Sequence, residues 1–209
     1  MNGTEQEIGR VLRAATPGFA VGCRVSQLSG PGFGSLVKAQ PLGQREAIYG
    51  LIYDIAIDDD QLIRRLVMVE DPPPEVIEDQ RSNRLLPIEM NVLAVGYMQD
   101  GQLRFGLPPR PPLNLDPVFL VQDPQEVRTF SDNLGYLRLI LRAGPNVPVD
   151  QLLVAHLRSM VELRGDDQAW ALNAVRELIE LLRSNYDVLI PTLEALSDAL
   201  PQLQLEMPS

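Results

Sequence analysis

The 209-residue chain has one cysteine, one lysine and one histidine. A single cysteine, Cys23, can form no intramolecular disulfide and rules out a cysteine-based zinc site. It lies in the apolar run FAVGCRV, where a small buried side chain is expected rather than a reactive thiol. His156 is the only ring available to a catalytic triad, and no G-x-S-x-G elbow accompanies it. A zinc ion there would need carboxylates from elsewhere. Its helical position beside Leu153 and Leu157 suits a capped or half-buried structural histidine. Aromatic residues make up 5% of the chain, too few to furnish a base-stacking platform. No apolar run approaches the length of a membrane span. The opening MNGTEQEIGR is polar and acidic, unlike a secretory leader, so a cytoplasmic protein is expected.

Charge is lopsided. Against 28 acids stand 18 bases, a formal net charge of −10, which disfavours broad contact with a nucleic-acid backbone. No run of Lys and Arg supplies a local basic patch. Apart from Lys38 every base is arginine. That is either compositional bias or a preference for a side chain suited to ion pairs and partner surfaces.

Three glycines crowd the stretch GPGFG, residues 30–34, with Lys38 four residues on. A phosphate loop needs G-x-x-x-x-G-K-[ST], but counting from Gly30 places Ser35 and Leu36 where glycine and lysine belong. Lys38 precedes Ala39, where a magnesium-binding hydroxyl would stand. A dinucleotide fingerprint also fails at Ser35. The next residues, SLVKAQ, read as a strand, so no helix N-terminus is on hand to hold an anion. The stretch is expected to be a turn, and no nucleotide or other cofactor is assigned.

Near residue 122 the sequence changes period. Before it lie 12 of the 15 glycines and 12 of the 18 prolines, separating short runs rich in β-branched and aromatic residues. IGRVLRA, FAVGCRV, GSLVKAQ, AIYGLIYDIAI, LIRRLVMVE, MNVLAVGYM, QLRFGL and PVFLV all read as strands. Asp100-Gly101 marks a hairpin between the sixth and seventh of these. After Gln122, Asp123 caps a helix with Pro124 at its first position and Glu126 placed to bond back to the cap. Leu134, Leu137 and Leu141 share a face of that helix, and Gly144 ends it. A second helix is expected from about Val149 to Leu163 and a third from near Asp166. A fourth, shorter one is expected after Pro191, with Leu193, Leu196 and Leu200 on one side. The expected fold is α+β: a small barrel over residues 1–122 and a helical bundle over residues 123–209.

The segments Gly9-Arg10-Val11, Gly34-Ser35-Leu36-Val37, Tyr49-Gly50-Leu51-Ile52 and LPPRPPLNLDPVFLV (Leu107 to Val121) resemble the HAS-barrel family. That is the small N-terminal β-barrel of HerA-type DNA-translocating ATPases and of ATP synthase catalytic-core subunits. The resemblance covers roughly residues 7–122. In the family a P-loop ATPase domain comes next; here only helices do, without a Walker motif, so the family's catalytic residues have no counterpart. What the resemblance implies is a barrel that packs beside neighbouring subunits and offers a docking surface.

Asp58-Asp59-Asp60 is the densest carboxylate cluster, but consecutive residues in a turn point apart, and a solvated loop is expected there. The segment from Glu70 to Met90 opens with Pro72, Pro73 and Pro74 and interrupts the strand rhythm. It is either a preorganised docking element or an insertion without a partner. In the third helix Trp170, Ala174, Leu178 and Leu181 form one apolar stripe, and Ala171, Val175, Ile179 and Leu182 an adjacent one. An arc that wide suggests a second copy as cover, with Val175 and Ile179 in the contact. The reading is a non-catalytic interaction module with a protein partner. Its alternatives are an accessory factor of a HerA-like DNA-processing ATPase and an enzyme of another type.

Overall fold

A computed structural model describes residues 6–25, 31–41, 46–57, 68–69, 73–75 and 86–203. Among these lie seven strands: β1 (Gln6–Ala15), β2 (Gly18–Val25), β3 (Leu36–Ala39), β4 (Ala47–Ile57), β5 (Leu86–Gln99), β6 (Gln102–Arg104) and β7 (Pro117–Leu120). Their order is β2-β1-β7-β3-β4-β5-β6, and β2 also pairs with β5. Six strands therefore close into an antiparallel barrel, and β6 hangs from β5 as the second arm of a hairpin. That hairpin turns at Asp100 (φ 52°) and Gly101 (φ 74°), the two left-handed positions of a type I′ turn.

Residues facing into the barrel form one core: Val11, Phe19, Val21, Val37, Ile48, Ile52, Met90, Val92 and Val118 are all under 9% exposed. The outward residues of β3, β4 and β5 form a second core with the helices, joining Leu36, Tyr49, Leu51, Leu93 and Val95 to Phe130, Leu137, Leu153 and Leu157. Where they are buried on both faces these strands read as apolar runs, residues 47–52 in β4 and 92–95 in β5. By contrast β1 buries Ile8 and Val11 alone, three positions apart across shifts of register at Glu7/Gly9 and Val11/Arg13. Shifts in register at Tyr49/Gly50 and Ile52/Asp54 bend β4.

Among the described residues, five helices come after the barrel: α1 (Pro124–Ser131), α2 (Leu137–Leu141), α3 (Val149–Leu163), α4 (Gln168–Leu182) and α5 (Tyr186–Ala199). Asp123 caps α1 as expected, accepting from the Glu126 amide at 2.9 Å. The single helix expected from Asp123 to Gly144 is instead broken. Asn133 accepts from the Gly135 amide at 2.9 Å and starts a 3-10 turn, Leu134–Tyr136, that leads into α2. Such side-chain bonds compete with the helical ladder. The helix expected after Pro191 starts earlier, at Tyr186, with Pro191 inside it. The exposed position of Pro191 lets the helix tolerate the lost amide, and Thr192 donates to Val188 O at 2.7 Å beside the break. Residues 86–89, placed by sequence in an insertion, belong to β5 together with the expected strand from Met90. The aspartate triplet and the strand LIRRLVMVE, apart from Met68 and Val69, lie outside the described residues.

Candidate functional site

Where the barrel meets the helices, the chain's rarest residues are buried and paired. Lys38, outward on β3 and 6% exposed, puts Nζ 2.8 and 2.9 Å from the two Glu126 oxygens. Tyr49 Oη donates to the same carboxylate at 2.8 Å. Sequence suggested that Glu126 would bond back to its helix cap; the buried ammonium and the phenol take the carboxylate instead, because charge-assisted bonds at a partly buried seam are the stronger choice.

The glycine stretch is a turn, and its role is structural. Gly34 adopts φ +83°, and a Cβ there would lie 2.8 Å from both Ala155 Cβ and His156 N of α3. Only glycine combines that angle with that approach. Its carbonyl faces His156 Nδ1 at 3.2 Å, while His156 Nε2 lies 3.1 Å from Tyr136 Oη. A carbonyl can only accept, so Nδ1 carries the proton, and the Tyr136 hydroxyl donates to Nε2. His156 is fully buried, deeper than the half-buried position expected. Burial drives its pKa down to about 4, offset in part by the Gly34 bond. The ring is neutral at physiological pH. Burial likewise pushes the Tyr136 phenol upward. An aromatic row continues from Tyr136 through Phe130 (centroids 4.9 Å apart) to Tyr49 (5.3 Å).

Further out, Arg164 staples the helices to one another. It donates to Ser131 Oγ and Asp132 Oδ1, each at 2.8 Å, and to Asp167 Oδ2 at 3.0 Å, and it lies 5.0 Å from the Trp170 ring centroid. The Trp170 amide, followed by Arg164, holds the Asp167 carboxylate below its usual range. Cys23 is half-buried, and burial raises its thiol pKa, the opposite of an activated nucleophile.

The helices pack over β3, β4 and β5, whereas no described residue of β1 or β2 joins the shared core. A proline strap, residues 107–113, runs beside Ala47 and Ile48 of β4 and Tyr97 and Met98 of β5, burying Pro108 and Pro112 and leaving Pro109 and Arg110 exposed. It ends in a turn where Leu113 and Leu115 are 70% and 68% exposed. Arg13 on β1 forms an ion pair with Glu89 of β5, donating to Oε2 at 2.8 Å. Beside it a cleft of about 390 Å³ opens between the barrel wall and the turn 144–147.

Of the residues singled out by sequence, Pro73 and Pro74 are exposed, and Pro72 lies outside the described residues. Val175 is 4% exposed, packed within a single chain, while Ile179 of the same stripe is 37% exposed. Trp170, Ala174 and Leu178 are buried too, so one chain supplies most of the cover that α4 needs. Sequence reasoning did not single out Leu113 and Leu115. The available signal was a pair of leucines in LNLD, next to four prolines and too short to form an element. No protein-family model matches the chain, and no curated protein matches it.

Proposed function

We propose that this protein is a non-catalytic interaction and assembly module, and that the barrel side left bare by the helices is its docking face. The observation that carries the reading is the distribution of side chains. The lone lysine and the lone histidine weld the barrel to the helices, while Leu12 on β1 and Leu113 and Leu115 in the turn bonded to β1 stand 47–70% exposed. Scattered surface leucines need no explanation, but several on one side mark an interaction surface. A closed antiparallel barrel followed by helices supports the HAS-barrel resemblance in outline. From that resemblance we take only the role of a packing and docking element, which is an argument from analogy.

The test is affinity capture from the native cell with the wild-type chain and with Leu113→Asp, which adds a charge at a solvent-exposed position. A stoichiometric partner retained by the first and lost by the second supports the reading. The same proteins recovered with both would refute it. A motor ATPase among the retained partners would narrow the role to an accessory of a DNA-processing machine.

A further inference from the structure

Among the described residues, three non-glycine positions have left-handed backbone: Asp100, Leu115 and Asp166. Aspartate tolerates that region because its side chain bonds locally; leucine does not. Leu115 is held at φ 71° by bonds on every side. Its amide donates to Val11 O at 2.8 Å, and Arg10 Nη1 donates to its carbonyl at 3.1 Å. The Leu113 amide donates to Asp116 Oδ2 at 2.8 Å, the Asp116 amide to Leu113 O at 3.1 Å, and the Val11 amide to Asp116 O at 3.0 Å. None of the described residues covers either leucine side chain enough to offset the strain. Strain that the surroundings over-determine gathers at clamps and binding loops.

The same chain carries an open cleft beside the C-terminal end of β1. The 390 Å³ cleft is lined by Ala15, Gly18 and Ala20, whose small side chains leave it open, with Leu93 and Val147 as apolar walls. At its rim Asn91 donates to Asp54 Oδ2 at 3.1 Å, and Asp54 has no cationic partner among the described residues. Arg110, fixed between prolines just ahead of the leucine turn, has no ion pair among the described residues either. The two surfaces of one chain are thus opposite in charge, Arg110 beside the leucine turn and Asp54 beside the cleft.

Building on the docking face and naming its partner, we propose that the Leu113–Leu115 turn of one copy seats in the cleft of a second copy, with Arg110 paired to Asp54 across the contact. Because both surfaces flank β1, the contact closes reciprocally into a dimer or continues head to tail.

Sedimentation velocity from low to high micromolar protein tests it. The expected mass rises above that of one 23.2 kDa chain. Leu115→Asn should raise the thermal midpoint, since asparagine suits the left-handed angle, and should also return the mass to one chain. A leucine with only a structural role would not couple those two changes. Ala15→Arg, filling the cleft, should dissociate the assembly too. Arg110→Glu and Asp54→Arg should each weaken it, and together restore it. A wild-type monomer at every concentration overturns the proposal, as does an oligomer indifferent to both Leu115→Asn and Ala15→Arg. A monomer that still loses a captured partner on Leu113→Asp overturns the copy-to-copy contact alone and leaves the docking reading standing.

Discussion

Acid should loosen the seam between barrel and helices through one residue. His156 is neutral when folded, with a pKa of about 4, against about 6.5 for an exposed histidine. Above pH 6.5 the ring is neutral in both folded and unfolded chains and adds no pH dependence. Between 6.5 and 4 the unfolded chain takes up a proton that the folded chain refuses, so stability falls as the pH falls. At about 1.4 kcal/mol per unit, the span amounts to about 3 kcal/mol, a large share of a typical 5–15 kcal/mol total. The perturbation is His156→Gln, whose amide can donate to Gly34 O and accept from Tyr136 without titrating. Urea unfolding, followed by Trp170 fluorescence, is measured for both proteins from pH 7.5 to 4.5. The Glu89 and Asp167 carboxylates, lowered by Arg13 and by the Trp170 amide respectively, lose their own contributions in acid. They do so in both proteins and cancel in the difference. The gap between wild type and variant should therefore close or reverse as the pH drops from 7 to 4.5. A gap that stays constant would refute the assignment of a buried neutral ring.

Lys38→Met removes one partner of a part-buried pair and leaves Glu126, 22% exposed, beside Tyr49, which should lower unfolding free energy by about 1–3 kcal/mol; chemical denaturation measures it. Replacing Glu126 by Gln in that background should recover part of the loss, since no buried charge then stands unpaired. Gly34→Ala forces a methyl against Ala155 at an unfavourable backbone angle and should destabilise by at least about 1 kcal/mol, read as a lower thermal midpoint. Pro191→Ala restores an amide inside α5 at an exposed position and should raise that midpoint, because proline costs about 3 kcal/mol in a helix interior relative to alanine. Calorimetry with ATP and magnesium should show no binding heat, since the Gly34 carbonyl and turn are engaged by α3; saturable binding lost in Lys38→Ala would overturn that.

The strands were legible where the pattern had one physical cause. AIYGLIYDIAI appears as β4 over the same residues, and the Asp100-Gly101 turn joins β5 to β6. The reason β4 lacks alternation was not legible, because a run buried between a barrel interior and a helical layer looks like any apolar run. The breaks in the helical half were missed for local reasons. Asn133 offers an internal bond that ends one helix, and Pro191 sits where a helix start was the simpler reading, yet packing of Leu189, Leu193 and Leu196 carries α5 through it. His156 read as a helical residue beside leucines. Nothing in its own neighbourhood revealed that its partner would be Gly34, 122 positions away. The Leu113–Leu115 turn was least legible. Its defining property is a leucine held at an unfavourable angle by contacts with β1, and angles imposed by distant strands leave no mark on composition.

The change of period at Gln122 marks a change of secondary structure without separating two cores. Leu36, Tyr49, Leu51, Leu93 and Val95 point out of the barrel, and helices bury all five. A barrel freed of its helices would present that apolar face to water, with Lys38 stripped of Glu126. The helices would in turn lose Gly34 as the acceptor for His156, leaving a buried ring nitrogen without its partner. Each half therefore supplies groups the other needs, and three of the connecting residues (Lys38, Tyr49 and Gly34) sit on the strands and turn nearest the helices. The bare side is the reverse case: β1 leaves most of its length exposed, burying Ile8 and Val11, and the Arg13–Glu89 pair lies outward on it. One side of the barrel is thus committed to the chain's own helices, and on the other the turn at Leu113 and Leu115 meets solvent among the described residues.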